Sequence, residues 1–324
     1  MSTIDLVASF TYDVEKAMAE GKQVTMVTLD VQGAFDALLA NRLLQRIQGQ
    51  GWPMTLLRLV KSFLTNRKVR VRLEDSTTAF FTAACGTPQG SPLSPVLYIL
   101  YLAELLNQDP ALRFRYIDDV CLYRASATLE ENVKLLAQDV RGIIQWGNEN
   151  KIFFAPEKLK MIHLTTRKGA STPILKVNDG LVISPITTTP KAGQHLALRW
   201  LGVWFDRKLR FWRHVSERTA KARQVAQHIR NLARTKDGPP ASSLRKAVTT
   251  CVLSSALYGT EAWYAGRTKP SVKGGTRVEV STRLRGLVRM VQSTITLAAR
   301  GVLPVWRTTP LPTLIRDSAY PRQR

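Results

Sequence analysis

Three aspartates carry the chemistry that this sequence offers. Asp118 and Asp119 stand side by side, with Phe114 before them and the apolar run Val120-Cys121-Leu122-Tyr123 after. The alternation reads as strand, two-residue turn, strand, which places both carboxylates at the tip of a hairpin. Adjacent carboxylates repel unless a cation neutralises them. A hard divalent ion takes carboxylate oxygen and keeps places for phosphates. Asp pairs are also ordinary turn formers, so the motif alone fits a plain turn as well. The third acid, Asp30, ends the β-branched run Val24-Thr25-Met26-Val27-Thr28-Leu29. Alternation puts Val24, Met26, Thr28 and Asp30 on one face of a strand, and Val27, Leu29 and Val31 on the other. An acid there is a cap or a metal ligand. Two-metal phosphoryl transfer needs carboxylates from two segments, and Asp30 with Asp118 and Asp119 would supply that set.

Two further features accompany the acids. Phe35, a large flat side chain, follows just past the strand end. Gly86-Thr87-Pro88-Gln89-Gly90-Ser91-Pro92-Leu93-Ser94-Pro95 is a loop defined by its glycines and prolines. Pro92 or Pro95 can open a helix, and the apolar run from Val96 to Leu106 reads as a buried one. Gln89 offers a side-chain amide, and the helix start offers N–H groups to a phosphate.

Asp30-x4-Phe35-Asp36, then Thr87 to Pro95, then Tyr116-Ile117-Asp118-Asp119, in this order and spacing, resemble the reverse transcriptases of non-LTR, LINE-type retrotransposons. Phe153-Phe154-Ala155-Pro156-Glu157-Lys158 is similar to the family's lysine-bearing motif. Arg199 to Asp206, with Lys208-Leu209, resembles its Leu-Gly primer-grip hairpin. The likeness runs from about Ser2 to Trp263, and more loosely through Trp306-Arg307-Thr308-Thr309-Pro310. Ile117 departs from it, since that position is more often Ala; alternation points the side chain away from the carboxylates.

The resemblance implies an RNA-directed DNA polymerase acting with two Mg²⁺ or Mn²⁺ ions on an RNA template, a DNA primer and dNTPs. Asp30, Asp118 and Asp119 would bind metal. Phe35 would be a steric gate against a ribose 2′-hydroxyl, or else core packing. Gln89, Gly90 and Ser91 would shape the floor under the templating pair. Lys158 would protonate or neutralise pyrophosphate, with Lys160 competing for the role, or be a solvated lysine. Leu201 and Gly202 would approach the primer, and Arg218 and Lys221 would bind nucleic acid. Nuclear residence is a further implication.

Composition agrees. The net charge is +23, which calls for a polyanionic partner. Residues 1–150 hold 15 Lys and Arg against 16 Asp and Glu, whereas residues 151–324 hold 32 against 8. The acids therefore sit in one half, and a basic, backbone-gripping surface in the other. Cys85, Cys121 and Cys251 have no CxxC spacing, which suggests reduced thiols and an intracellular protein. The four histidines have no zinc-ligand spacing. No signal peptide is visible, and the longest apolar run is too short for a membrane span.

The elements that must position the acids are readable. Ser2 to Gly21 reads as a helix with a Ser2/Asp5 capping box, with Ile4, Val7, Tyr12, Val14, Ala17 and Met18 inward. Helices are expected over 38–48 and 54–65, broken by Gly51-Trp52-Pro53. Val69–Leu73 reads as a strand, basic on one face, that pairs with Phe80–Ala84. Leu129–Trp146 reads as a helix with Val133, Leu136, Val140, Ile143 and Ile144 inward. This order suits an α+β fold, a palm of antiparallel sheet with helices on one face.

The basic half reads as a helical thumb. From His214 to Arg234, Val215, Ala222, Val225, Ala226, Ile229 and Leu232 form an apolar stripe, while Arg218, Lys221, Arg223, Arg230 and Arg234 face elsewhere. That basic face is either a plain solvated surface or a track for the primer–template minor groove. A loop at Asp237–Pro240, a helix from Leu244 to Leu257, a linker from Gly266 to Thr276 and a basic helix from Arg283 to Leu297 follow. The expected domains are 1–21, a helix left from the fingers–palm junction; 22–206, palm with partial fingers; 207–265, thumb; and 266–324, basic linker and C-terminal helical segment.

Relatives carry a longer fingers region upstream and more chain downstream, so the sequence reads as the middle of a larger retrotransposon protein. Two functions stand. One is a polymerase, favoured by the intact acids, Phe35 and Gln89-Gly90. The other is a non-catalytic nucleic-acid-binding remnant without functional fingers. A group II intron-type maturase shares the palm motifs, but its thumb is not evident.

Overall fold

The computed structural model describes residues 2–31, 33, 35–103, 113–116, 119–186, 196–233, 237–264, 268–269, 278–279, 283–303, 305 and 308–318. Helix α1 (Thr3–Ala19) leads into strand β1 (Gln23–Asp30), then α2 (Ala40–Gly49) and α3 (Met54–Leu64). Short strands β2 (Arg67–Val69), β3 (Arg72–Leu73), β4 (Ser76–Thr77) and β5 (Phe81–Ala83) precede α4 (Leu93–Tyr101). Strands β6 (Arg113–Tyr116) and β7 (Asp119–Ser126), helix α5 (Leu129–Asn150) and strands β8 (Lys160–Leu164), β9 (Leu175–Asn178) and β10 (Leu181–Ile183) follow. Next come β11 (Ala197–Trp200), β12 (Val203–Asp206), α6 (Trp212–Leu232), α7 (Ala241–Ala247) and α8 (Ser254–Ala256). The last elements are β13 (Thr268–Lys269), β14 (Val278–Glu279), α9 (Arg283–Val302) and α10 (Leu311–Ser318). The chain forms two compact units. One comprises Lys22–His163 and Arg167–Pro185; the other comprises Met1–Gly21, Leu164–Thr166 and Ile186–Arg324.

The first unit is built on a four-stranded sheet of order β6-β7-β1-β8, with β1 and β6 both antiparallel to β7. Val27, Leu29 and Val31 on one face of β1 share a core with Val120 and Leu122. The same core takes in Leu43 and Ile47 of α2, Val60 of α3, Tyr98 of α4, and Leu136 and Val140 of α5. Burying each such side chain is worth about 1.5–3 kcal/mol, so the strand that ends in Asp30 is firmly anchored. Val24 and Met26, on its other face, are buried too. His163 ties β8 to β1. Its Nε2–H donates to the Pro173 carbonyl (3.0 Å), which leaves Nδ1 to accept from the Thr25 hydroxyl (2.9 Å). Arg124 and Asp139 form a bidentate pair (2.8 and 2.7 Å) between β7 and α5. An antiparallel sheet with helices on one face is the α+β layout expected.

In the second unit, Ser2 and Asp5 form the expected capping box on α1. Phe10, and not Tyr12, is the inward aromatic: Phe10 meets Trp200 (5.6 Å between centroids) and Phe205 (5.4 Å), while Tyr12 is exposed. Helix α6 packs its Ala222, Ala226 and Ile229 with Ala298, Ala299 and Val302 of α9 in one core.

Several expectations need correction. Val69–Leu73 is not one strand. Arg67–Val69 pairs with Phe81–Ala83, and Arg72–Leu73 turns back on Ser76–Thr77. The helix after the glycine–proline loop starts at Leu93, and it is not buried all round, because Val96 and Ile99 are exposed. Ile144 is only partly buried, and Leu232 leaves its stripe for solvent. The helix expected from Leu244 begins at Ala241 and widens to a π-helical turn over Val248–Leu253. Part of the expected linker is strand: Thr268 and Lys269, within it, pair with Glu279 and Val278 just beyond it. The β9–β10 hairpin, closed at Asp179-Gly180, and helix α10 have no counterpart in the sequence reading.

Candidate functional site

Strand β1 runs apolar until its core-facing row ends, and the last residue of the opposite row is Asp30. The β1–β7 register sets Asp30 directly opposite Asp119. Two carboxylates facing each other across a ladder are unfavourable without a cation. Tyr116 pairs with Asp119, so Asp119 sits in the ladder as the first residue of β7, whereas the alternation put both carboxylates at the hairpin tip; two residues separate the paired ones. Those residues, Ile117 and Asp118, lie outside the described residues. Cys121 follows on β7, and burial together with the nearby Asp119 pushes its thiol well above the usual range.

Past Asp30, Val31 forms a bridge with Phe154, and the Ala155 N–H donates to the Asp30 carbonyl (3.2 Å). Pro156–Lys158 then turn once as a 3₁₀ helix. That route brings the Lys158 ammonium to 3.0 Å from Asp30 Oδ2. Both side chains are partly exposed, at 53% and 37%, so the contact is a solvent-screened pair. Lys160 is exposed on β8. The lysine-bearing motif therefore converges on the first aspartate through backbone pairing, and Lys158 stands where a carboxylate site gathers positive charge.

A tight turn follows β1. The N–H groups of Asp36 and Ala37 both donate to the Gly33 carbonyl (2.9 and 2.7 Å). Phe35, half-buried, projects from this turn against Tyr98 of α4, with ring centroids 5.4 Å apart. It is thus both packed and partly open, between the gate and core alternatives. The Gly86–Pro95 loop lies against the same turn. The Thr87 N–H donates to the Phe35 carbonyl (2.7 Å) and the Gly86 N–H to the Leu38 carbonyl (2.8 Å).

The Gln89 amide donates to Asp36 Oδ1 (3.2 Å) and so fastens two loops together. Ser91 also occupies donors at the helix start: its Oγ accepts from the Leu93 N–H, and its carbonyl accepts from the Ser94 N–H. Gly90 has φ +87°, a conformation that favours glycine. Among the described residues, no cluster of three or more His, Cys, Asp or Glu side chains could hold a metal.

The primer-contact candidates lie in the second unit. Leu201 and Gly202 are the two turn residues of the β11–β12 hairpin, with Trp200 opposite Val203. Both have positive φ, +46° and +76°, the signature of a type I′ turn. The hydroxyl of Tyr258 donates to the Leu201 carbonyl (2.7 Å), and Arg218 donates to the Gly202 carbonyl (2.8 Å). The Arg218 guanidinium stacks 4.1 Å above the Tyr258 ring.

Arg218 therefore holds the hairpin turn and does not face away from the unit. Arg223 is similarly engaged, bonding Thr294 and Ser293 of α9, and a side chain on Gly301 would press on Arg230. Lys221 is exposed, and Arg234 lies outside the described residues. Asp206, read from the sequence only as the end of the hairpin motif, has a structural role that the reading missed: its buried carboxylate accepts from the N–H groups of Lys208, Arg210 and Phe211 (3.1, 3.0 and 2.6 Å) and sets up the start of α6. The signal was an acid followed by a short loop into a helix.

Residues 2–205 match the family model of reverse transcriptase (RNA-dependent DNA polymerase). The chain is 26% identical over 272 residues to the probable RNA-directed DNA polymerase from transposon BS of Drosophila melanogaster, covering 81% of this chain and 29% of the relative. It is 27% identical to the RNA-directed DNA polymerase from mobile element jockey of the same organism, covering 62% of this chain and 22% of the relative. The chain thus spans less than a third of these relatives. Among solved structures, apo telomerase from Candida Tropicalis aligns over 97% of this chain and 53% of its own, at 14% identity and a TM-score of 0.45.

Proposed function

The chain belongs to the reverse transcriptase (RNA-dependent DNA polymerase) family, and from that premise we propose that it is the polymerase part of a non-LTR retrotransposon protein, adding dNMP units to a DNA primer on an RNA template. The observation that carries this reading is Asp30 set opposite Asp119 at the strand ends, with the Lys158 ammonium drawn onto Asp30. A facing carboxylate pair that gathers a cation suits a hard divalent ion, whose preferred donor is carboxylate oxygen. Asp30, Asp118 and Asp119 would hold two such ions, Mg²⁺ or Mn²⁺. Bound there, they would activate the primer 3′-hydroxyl and offset charge on the leaving pyrophosphate.

The chain's own residues do the rest. Phe35 presents a ring beside the strand that ends in Asp30, and its bulk would exclude a ribose 2′-hydroxyl, so dNTPs are chosen. Gly90 and Ser91, with Gln89 fastening the loop to Asp36, would form the floor beneath the templating pair. Lys158 would move from Asp30 to the pyrophosphate, giving it a proton or neutralising its charge; its nearness to Asp30 favours it over Lys160. Leu201 and Gly202 would meet the primer backbone, with Arg218 fixing their turn. Lys221 and other exposed basic residues of the second unit would take phosphates, so hybrid binding should weaken steeply with salt. Nuclear residence belongs to the same proposal. No helix among the described residues is long and apolar enough to cross a membrane.

Single-turnover addition of one dNTP to a DNA primer annealed to RNA tests the reading. Addition should require Mg²⁺ or Mn²⁺ and vanish in Asp30→Ala, with hybrid binding retained. Equal addition by Asp30→Ala would refute it.

A further inference from the structure

Arg67 opens β2, directly after Asn66 in a left-handed conformation (φ +56°). One of its terminal nitrogens, Nη2, donates to the carbonyls of Cys85 (2.6 Å) and Gly86 (2.7 Å), while its Nε donates to the Leu64 carbonyl (3.3 Å). Three backbone carbonyls from two segments thus share one guanidinium. The planar, pre-organised fork of arginine can span them, whereas a lysine ammonium on a flexible stem does so poorly.

The segment so held is the one that touches the Phe35 turn. Gly86 and Thr87 donate to Leu38 and Phe35, as described above. Gly86 sits so close that an added Cβ would lie 2.8 Å from the Phe35 carbonyl oxygen and 2.9 Å from both Cα and O of Asp36. Its φ of +81° is itself one that favours glycine. The backbone of Phe35 therefore has a rigid wall on one side, and its ring has Tyr98 on the other. The wall is only as fixed as the carbonyls behind it, and Arg67 holds those carbonyls from the opposite side.

We infer that Arg67 is a positioning residue for sugar selection: by clamping Cys85 and Gly86 it keeps the Phe35 turn, and so the ring, at the place where a 2′-hydroxyl is refused. The inference rests on the proposed polymerase reading. Arg67 itself does not touch the nucleotide. A loosened clamp should harm discrimination more than dNTP turnover, because a misplaced ring no longer excludes while the acids stay where β1 and β7 put them. A misplacement of an ångström can cost as much as 10²-fold at a reacting centre, so a partial effect of about tenfold on selectivity is the expected scale.

The test compares wild type, Arg67→Lys, Phe35→Ala and the double variant for kcat/KM with a dNTP and with the matching rNTP. The exchange of the Gly86 and Thr87 amide protons is measured in the same proteins. In Arg67→Lys the dNTP-to-rNTP ratio should fall about tenfold, with dNTP kcat changed much less and the two amides exchanging faster. In the double variant the ratio should fall no further than in Phe35→Ala, because both changes act through one ring. A merely structural role would lower both substrates together and leave the ratio unchanged, which overturns the inference. If wild type incorporates neither substrate, the polymerase reading fails, and amide exchange alone decides the clamp. Unchanged protection in Arg67→Lys overturns it, and faster exchange upholds it.

Discussion

Acidification should destabilise the second unit through one histidine. His214, in the first turn of α6, is 1% exposed. Its Nε2–H donates to the Tyr258 carbonyl (2.8 Å), and its Nδ1 is buried with no hydrogen-bond partner. Burial pushes its pKa down to about 4; the bond to Tyr258 opposes this, and the nearby Arg218 adds to it. An unfolded histidine titrates near 6.5. Between those values the unfolded chain binds the proton and the folded one does not, so stability is full above pH ~6.5 and falls as pH drops towards 4.

From pH 7.5 to pH 5 this one group should cost about 2 kcal/mol, or a fall of roughly 4–8 °C in Tm for a unit of this size. The assay is urea and thermal unfolding at both pH values for wild type and His214→Gln, which keeps an N–H donor and cannot titrate. Wild type should lose about 2 kcal/mol more than the variant over that interval. Parallel losses, or a His214 ring that titrates near 6.5 by NMR, would refute the reasoning.

Other outcomes follow from the same geometry. Lys158→Met should remove a cation that competes for Asp30; a partly exposed pair is worth at most about 1 kcal/mol, so calorimetry should show Mg²⁺ or Mn²⁺ binding up to about fivefold tighter, and weaker binding would count against the pairing. Gly86→Ala should destabilise the first unit by about 2–4 kcal/mol, because its Cβ meets backbone on three atoms, whereas Gly90→Ala, with nothing within 4 Å, carries only backbone strain of about 1 kcal/mol or a little more. Equal urea midpoints for the two variants would contradict the close approach. Leu201→Gly relieves a strained φ of +46° and should raise stability by up to about 1 kcal/mol in the same melts, with a loss indicating that the side chain matters more than the turn.

The elements fixed by local chemistry were legible in the sequence. The Ser2/Asp5 capping box, the Gly51-Trp52-Pro53 break and the alternation of β1 all depend on neighbours in sequence. The Asp30–Asp119 pairing was legible only as two motifs, because the register that joins them is set by strand pairing. Lys158 could be placed near the acids by motif order, but its contact with Asp30 comes from the Val31–Phe154 bridge, a long-range event. The arginines of the basic half misled for a related reason. Helical periodicity tells which residues avoid the core stripe but not which of them bond across to other elements, as Arg218 does with Gly202 and Arg223 with α9. Phe10 was passed over for Tyr12 because both lie near the apolar stripe of α1, and only packing against Trp200 and Phe205 distinguishes them.

The most direct test of the central claim is primer extension on an RNA template by the purified chain with Mg²⁺ and dNTPs, beside Asp30→Ala and Asp118→Ala. Binding of the primer–template hybrid is measured in each protein. Extension by the unmutated chain alone, with hybrid binding intact in all three, is expected. Extension that survives either substitution, or hybrid binding with no extension by any of the three, would contradict it.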